Sequence, residues 1–153
     1  SFEGTTDDAN ETLLAAYDPT QDNVINLPNA AGTVALTSEV LNTKTGATGT
    51  VTHNLDEAGG TLFYHSSIAS NFAANFTNVP TTSNRAISTA LILQQGSTPY
   101  MPTEVQIDGV VRTINWQGGT TPNGTANAID LVSFTLLRIG VAWTVIGSSV
   151  HYG

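Results

Sequence analysis

The sequence predicts an all-β protein: a short-stranded N-terminal oligomerisation module followed by an antiparallel β-sandwich of jelly-roll-like form. Three observations carry this. Only 10% of the 153 residues are charged, against about 25% in ordinary globular chains, so Thr, Ser, Asn and Gln must supply the wet surface. β-Branched patches recur at short spacing between Gly, Pro, Asn and Asp, without a convincing amphipathic helix. Finally, the charge is divided. Residues 1–40 hold Glu3, Asp7, Asp8, Glu11, Asp18, Asp22 and Glu39 with no base, whereas residues 41–153 hold five acids and four bases.

In residues 1–41 the apolar patches are "ETLLAAYD", "NVINLP" and "GTVALT", punctuated by Asp18-Pro19 and by Pro28-Asn29. Three strands of that length cannot bury enough apolar surface alone, since chains below about 40 residues need disulfides, metal or oligomerisation. The chain has no cysteine. Self-association is the remaining route, so this module is expected to complete its core between chains. Residues 42–49, "NTKTGATG", read as a linker rich in Thr and Gly.

Residues 50–153 are expected to form the sandwich. The strand signals are "TVTHNL", "TLFYH", "NFAANFTNV", "AISTALILQQ", "TEVQI", "VVRTINW", "IDLVSFTLLRI" and "AWTVIGSSVHY". Asp108-Gly109 marks a tight hairpin, because a type I′ turn needs positive φ at both central residues, and Gly140 marks another. Alternation in "LVSFTLLRI" puts Leu131, Ser133, Thr135 and Leu137 on one face and Val132, Phe134, Leu136 and Arg138 on the other. Neither face is wholly polar, which suits a strand touching two layers or a neighbouring subunit.

The same totals exclude function classes. A net charge of -8 opposes binding to a phosphate backbone, so nucleic acid is not an expected partner. No run approaches the ~18 apolar residues of a membrane-spanning helix. Ser1 to Asn10 is acidic and lacks the apolar stretch of a signal peptide, so none is expected there. His53, His65 and His151 stand far apart with none of the short zinc-ligand spacings and no nucleophile-elbow serine, and are read as surface or half-buried strand residues. Asp56, Glu57, Glu104, Asp108 and Asp130 are the carboxylates available for a glycosidase pair, and turns, loops and strand starts account for most of them. Asp7, Asp8 and Glu11 lack the spacing of a calcium loop. No catalytic residue, metal or cofactor is expected.

Binding residues concentrate on loops carried by rigid scaffolds. "NWQGGTTPNG", residues 115–124, sets Trp116 among Asn115, Gln117 and Asn123, and Tyr100 follows Thr98-Pro99. These five residues are the candidate glycan-binding set, with core capping as the competing role for Trp116.

Two stretches carry a resemblance. "FEGTTDDANETLLAAYDPTQDNVINLPNAAGTVALTSEV", residues 2–40, resembles the repeated module of tail-fibre and other virion appendage proteins of marine bacteriophages, especially those infecting cyanobacteria. The marks are Phe2-Glu3-Gly4, Asp8-Ala9, Glu11-Thr12, Asp18-Pro19-Thr20, Asp22, Leu27-Pro28 and Gly32-Thr33. Where that pattern often has a basic residue, this chain has Asn23, which weakens an inter-chain ion pair. "FAANFTNV", "VQIDG", "INWQGG" and "AIDLVSFTLLR" are similar to a β-rich domain of structural proteins in the same phages. The resemblance implies a non-enzymatic, homotrimeric component of the extracellular virion. Its expected partners are itself, other virion proteins and a host cell-surface glycan. A filament without receptor binding, or a tailspike-type polysaccharide-cleaving enzyme, is the alternative.

Overall fold

A computed structural model describes residues 41–56 and 60–153, all within one compact unit, Leu36–Gly153. The expected N-terminal module, with its acidic cluster, lies outside the described residues, as does Glu57. Ten strands follow in order: β1 Asn42–Thr45, β2 Gly49–Asn54, β3 Leu62–Ser66, β4 Phe72–Thr77, β5 Arg85–Gln94, β6 Pro102–Ile107, β7 Val110–Arg112, β8 Ile114–Trp116, β9 Ile129–Ile139 and β10 Ala142–Tyr152. They form a six-stranded sheet, β1-β3-β5-β9-β10-β8, and a four-stranded sheet, β2-β4-β6-β7.

The all-β expectation holds, but the wiring is mixed and not antiparallel. β1, β3 and β5 run parallel in the larger sheet, and β2, β4 and β6 run parallel in the smaller. Parallel neighbours need a crossover connection, and here each crossover is itself a strand of the opposite sheet. The chain therefore winds, laying one strand in each sheet per turn from β1 to β6. Asn42 pairs with Phe63 and Gly49 with Phe72.

The expected linker 42–49 is corrected for the same reason. Asn42–Thr45 is a strand, and Gly46 and Gly49, at φ 69° and 58°, turn the chain from one sheet into the other. Positive φ of this kind is available to glycine at no steric cost. Ala47 between them is buried, and its carbonyl accepts hydrogen bonds from the amides of Ala69 and Ser70 at 2.9 and 3.3 Å.

Antiparallel pairing appears where the sequence carries true hairpin turns. Asp108 and Gly109, at φ 47° and 79°, join β6 to β7. Gly140, at φ 61°, joins β9 to β10 with Ile139 opposite Ala142. "VVRTINW" is not one strand: after Thr113 the chain leaves β7 in the smaller sheet and enters β8, which pairs in parallel with β10 in the larger one.

Both sheets contribute to one core. Phe63, Leu91, Leu93, Val132, Phe134, Leu136 and Val145 come from the larger sheet, and Phe72, Ala74, Phe76, Val105 and Ile107 from the smaller. Phe76 meets Phe134 edge-on across the interior at 5.7 Å. Val132, Phe134 and Leu136, which the alternation groups on one face, point inward.

The outer face of the larger sheet is unusual for an acidic chain. Registers align Tyr64, Ile92, Leu131 and Val150 in one row across β3, β5, β9 and β10. A neighbouring row sets Gln94, Ile129 and Tyr152 side by side. The outward positions of these four strands carry no charged side chain, and Ile129, Ile146, Val150 and Tyr152 are exposed.

Gly147 on β10 marks a close approach. A Cβ there would lie 2.8 Å from Trp116 Cε3 and Cζ3 and 2.9 Å from Ile114 Cγ2, a separation at which atoms must move. Gly147→Ala should therefore displace the Trp116 ring and cost ~1–3 kcal/mol, as overpacking does. A lowered midpoint in urea with changed Trp emission would show it; an unchanged midpoint would contradict this packing.

Candidate functional site

An open cleft of about 310 Å³ lies where the chain passes from one sheet to the other. Thr103 and Glu104 of β6 and Val111 and Arg112 of β7 form one part of its lining. Thr113, Ile114 and Trp116, with Thr121 from the following loop, form the rest. The volume is at the lower end of small-ligand sites, roughly 300–1,000 Å³.

β8 positions Trp116, and the six-membered part of its ring lies against Gly147, where no side chain intervenes. Its ring centroid is 5.6 Å from that of Phe134. The tryptophan is half-buried, so it caps the core and also presents apolar surface to the cleft. Glu104 is the one carboxylate among the lining residues, and its Oε1 accepts a 2.7 Å hydrogen bond from Gln106 Nε2. The Arg112 side chain has no hydrogen bond or ion pair among the described residues, and its Nε is shut off from solvent without a partner.

Of the five residues singled out in the sequence, the structure brings only Trp116 to this cleft. Asn115 faces the other way and donates from Nδ2 to the Val145 carbonyl at 3.0 Å. Gln117 begins a single 3-10 turn, Gln117–Gly119, and is exposed; Asn123 is exposed in the following loop. Tyr100 belongs to the β5–β6 connection, where Gln95 holds its main chain: the Tyr100 amide donates to Gln95 Oε1 at 2.9 Å and its carbonyl accepts from Gln95 Nε2 at 2.8 Å.

Gln95 belongs to a buried clasp. Its Nε2 also donates to Asp130 Oδ2 at 2.9 Å, and the same oxygen accepts from the Thr125 amide at 2.9 Å. Asp130 is therefore more than a strand start: it ties the loop after β8 to the loop after β5. Gly124 is required at this junction, because a Cβ would sit 2.9 Å from Pro99 Cβ and 3.2 Å from Asp130 Oδ2. Asp108 keeps its turn role and accepts from the Asn78 amide at 3.0 Å.

The histidine expectation is overturned at two positions. His53 on β2 and His65 on β3 are wholly buried, and their Nε2 atoms lie 2.9 Å apart. At that distance one ring donates and the other accepts, a bond between opposite sheets. His53 sits edge-on to Phe63 at 4.9 Å, and His65 stacks on Phe72 at 5.2 Å. Burial, then the charges of His65 and Lys44, lower the His53 pKa to about 3; the Val51 and Asn75 backbones oppose this weakly, without a well-formed bond to Nδ1. Burial, then Lys44, lower that of His65 to about 4. Both rings are neutral at pH 7. His151, near the chain end, is exposed. Among the described residues no three His, Cys, Asp or Glu side chains are grouped to hold a metal ion.

No match to the chain was found among protein-family models, curated proteins or solved structures. No helix among the described residues is long and apolar enough to cross a membrane.

Proposed function

We propose that the chain is a structural component of a bacteriophage fibre or appendage, a homotrimer in which a sandwich head of two mixed sheets is displayed on the virion and binds a host-surface glycan. The observation that carries the self-associating, structural part is the uncharged outer face of the larger sheet. In a chain of net charge -8 copies repel one another, and this face lets a second copy approach without opposed like charges. Each Å² of apolar surface hidden there contributes ~25 cal/mol, and the row Tyr64, Ile92, Leu131 and Val150 supplies a continuous strip. The virion setting and the trimer come from the resemblance carried by residues 2–40 and by the four segments within 72–138. The glycan reading is supported by the cleft at Trp116.

Light scattering on the purified protein tests the assembly. A trimer is expected, and Leu131→Lys, which puts a charge in the middle of the row, should shift it toward smaller species at least tenfold more readily on dilution. A folded wild-type monomer at micromolar concentration would defeat the proposal.

A filament without receptor binding is the second reading. Among the described residues β1 and β2 are edge strands of their sheets, and unpaired edges are templates for further strands. Electron micrographs separate a discrete knob from a filament.

A further inference from the structure

We propose that the cleft between β6, β7 and β8 takes an acidic saccharide, a sugar bearing a uronate carboxylate, with that carboxylate on Arg112 and the sugar ring against Trp116. This deepens the glycan reading above and rests on it.

The chain has only four Lys and Arg residues. Of these, Lys44 lies 5.9 Å over the Phe63 ring and Arg138 5.1 Å over the Trp143 ring. Arg138, like Arg112, leaves its Nε without an acceptor, but its cation is held by the indole face. Arg85 is exposed to solvent, and Arg112 alone is half-buried with neither a ring nor an acid among the described residues. A half-buried guanidinium without an anion carries an uncompensated desolvation cost. Its planar fork matches a carboxylate, to which it donates two parallel charge-assisted bonds.

The surroundings select the rest of the ligand. Trp116, Val111 and Ile114 offer apolar surface, and the exposed hydroxyls of Thr103, Thr113 and Thr121 offer donors and acceptors beside it. That mixture suits a sugar, which has an apolar ring face and a rim of hydroxyls. Glu104, with one oxygen already engaged by Gln106, accepts from a sugar hydroxyl and repels a second anionic group. A polyphosphate or nucleic acid is thereby disfavoured, as it is by the net charge of -8.

The test is a nuclear magnetic resonance titration of the full chain with six trisaccharides: those of galacturonic, glucuronic and mannuronic acid, and those of galactose, glucose and mannose, which differ by a hydroxymethyl in place of the carboxylate. At least one uronide should bind tenfold or more tightly than its neutral counterpart and shift both the Trp116 indole N–H and the Arg112 Nε–H resonances. Arg112→Gln should abolish that preference, Arg112→Lys should retain part of it, and Glu104→Gln should strengthen uronide binding. Equal binding of acidic and neutral sugars, or a preference that survives Arg112→Gln, would overturn the acidic assignment and leave the glycan reading standing. Failure of all six to bind would overturn both. If Arg112→Gln does not fold, the Arg112 Nε–H of the wild type decides, since it should respond to uronides and stay still with the neutral sugars.

Discussion

The stability of the head should begin to fall as the pH drops below 6.5 and should continue to fall through about 4 and about 3, the values to which burial lowers His65 and His53. In the unfolded chain both rings take up a proton near 6.5, while in the folded chain they resist it. The unfolded state therefore binds more protons throughout that window, and stability rises with pH across it. The contribution is complete above 6.5. Each ring supplies at most ~1.4 kcal/mol per pH unit, and because the two are coupled the sum is an upper bound. Phe63, Phe72 and Phe76 surround the pair, and the charge whose field reaches both rings is a cation, Lys44. Among the described residues no carboxylate is hydrogen-bonded to either imidazole. Urea melts at a series of pH values would measure the slope.

The control is the double variant His53→Leu with His65→Leu. It removes both partners of the 2.9 Å bond and should flatten the dependence between 6.5 and 4, making the variant the more stable protein at the acid end. Either single variant should instead lose ~1–3 kcal/mol at neutral pH, because it strands one buried nitrogen. A double variant with the wild-type slope would assign the acid response elsewhere, to carboxylates for example.

How much of this could be read from the residues depends on the range of the interaction. Asp108-Gly109 and Gly140 are local signals, and both turns form as their backbone demands. The division of β9 into a Val132, Phe134, Leu136 face and a Leu131, Thr135 face is also local, since it follows from the strand period; which face turns inward is set by the opposite sheet. Strand neighbours are not local. Nothing in "TLFYH" says that it lies between "NTKT" and "ISTALILQ", because a run of alternating residues pairs equally well in either direction until the crossover is known. The linker expected at 42–49 gives way for the same reason: its Thr-rich first half is an edge strand and its glycines are corners.

The site was half legible. Trp116 stood out as an aromatic at a strand end, and its double role follows from Gly147, a residue 31 positions on that lies beneath it. Arg112 was hidden inside "VVRTINW", which reads as one strand until Thr113 is seen to switch sheets. The His53–His65 pair joins opposite sheets, so only the folded chain brings the two rings together. In each case the missing information was which sheet a strand enters.

Asp130→Ala is expected to destabilise the head by ~2–4 kcal/mol, combining a lost charge-assisted bond with buried donors left unmet. Asp130 is 1% exposed and has no cationic partner among the described residues; its carboxylate is held by hydrogen bonds from Gln95 and the Thr125 amide. Both end on the same oxygen, Oδ2. An asparagine whose single carbonyl oxygen takes that position keeps both bonds and loses only their charge-assisted part, so Asp130→Asn should cost about 1 kcal/mol. The contrast distinguishes a clasp from a generic buried acid. If alanine and asparagine were equally damaging, the negative charge itself would be what the site requires; if neither were damaging, the two loops would be held by other contacts. Amide hydrogen exchange adds a local reading. In Asp130→Ala the Thr125 amide and then the Tyr100 amide, which donates to Gln95 Oε1, should lose protection before the amides of β9 and β10. That order follows because the clasp fixes loops, whereas the paired strands hold each other over eleven registered residues.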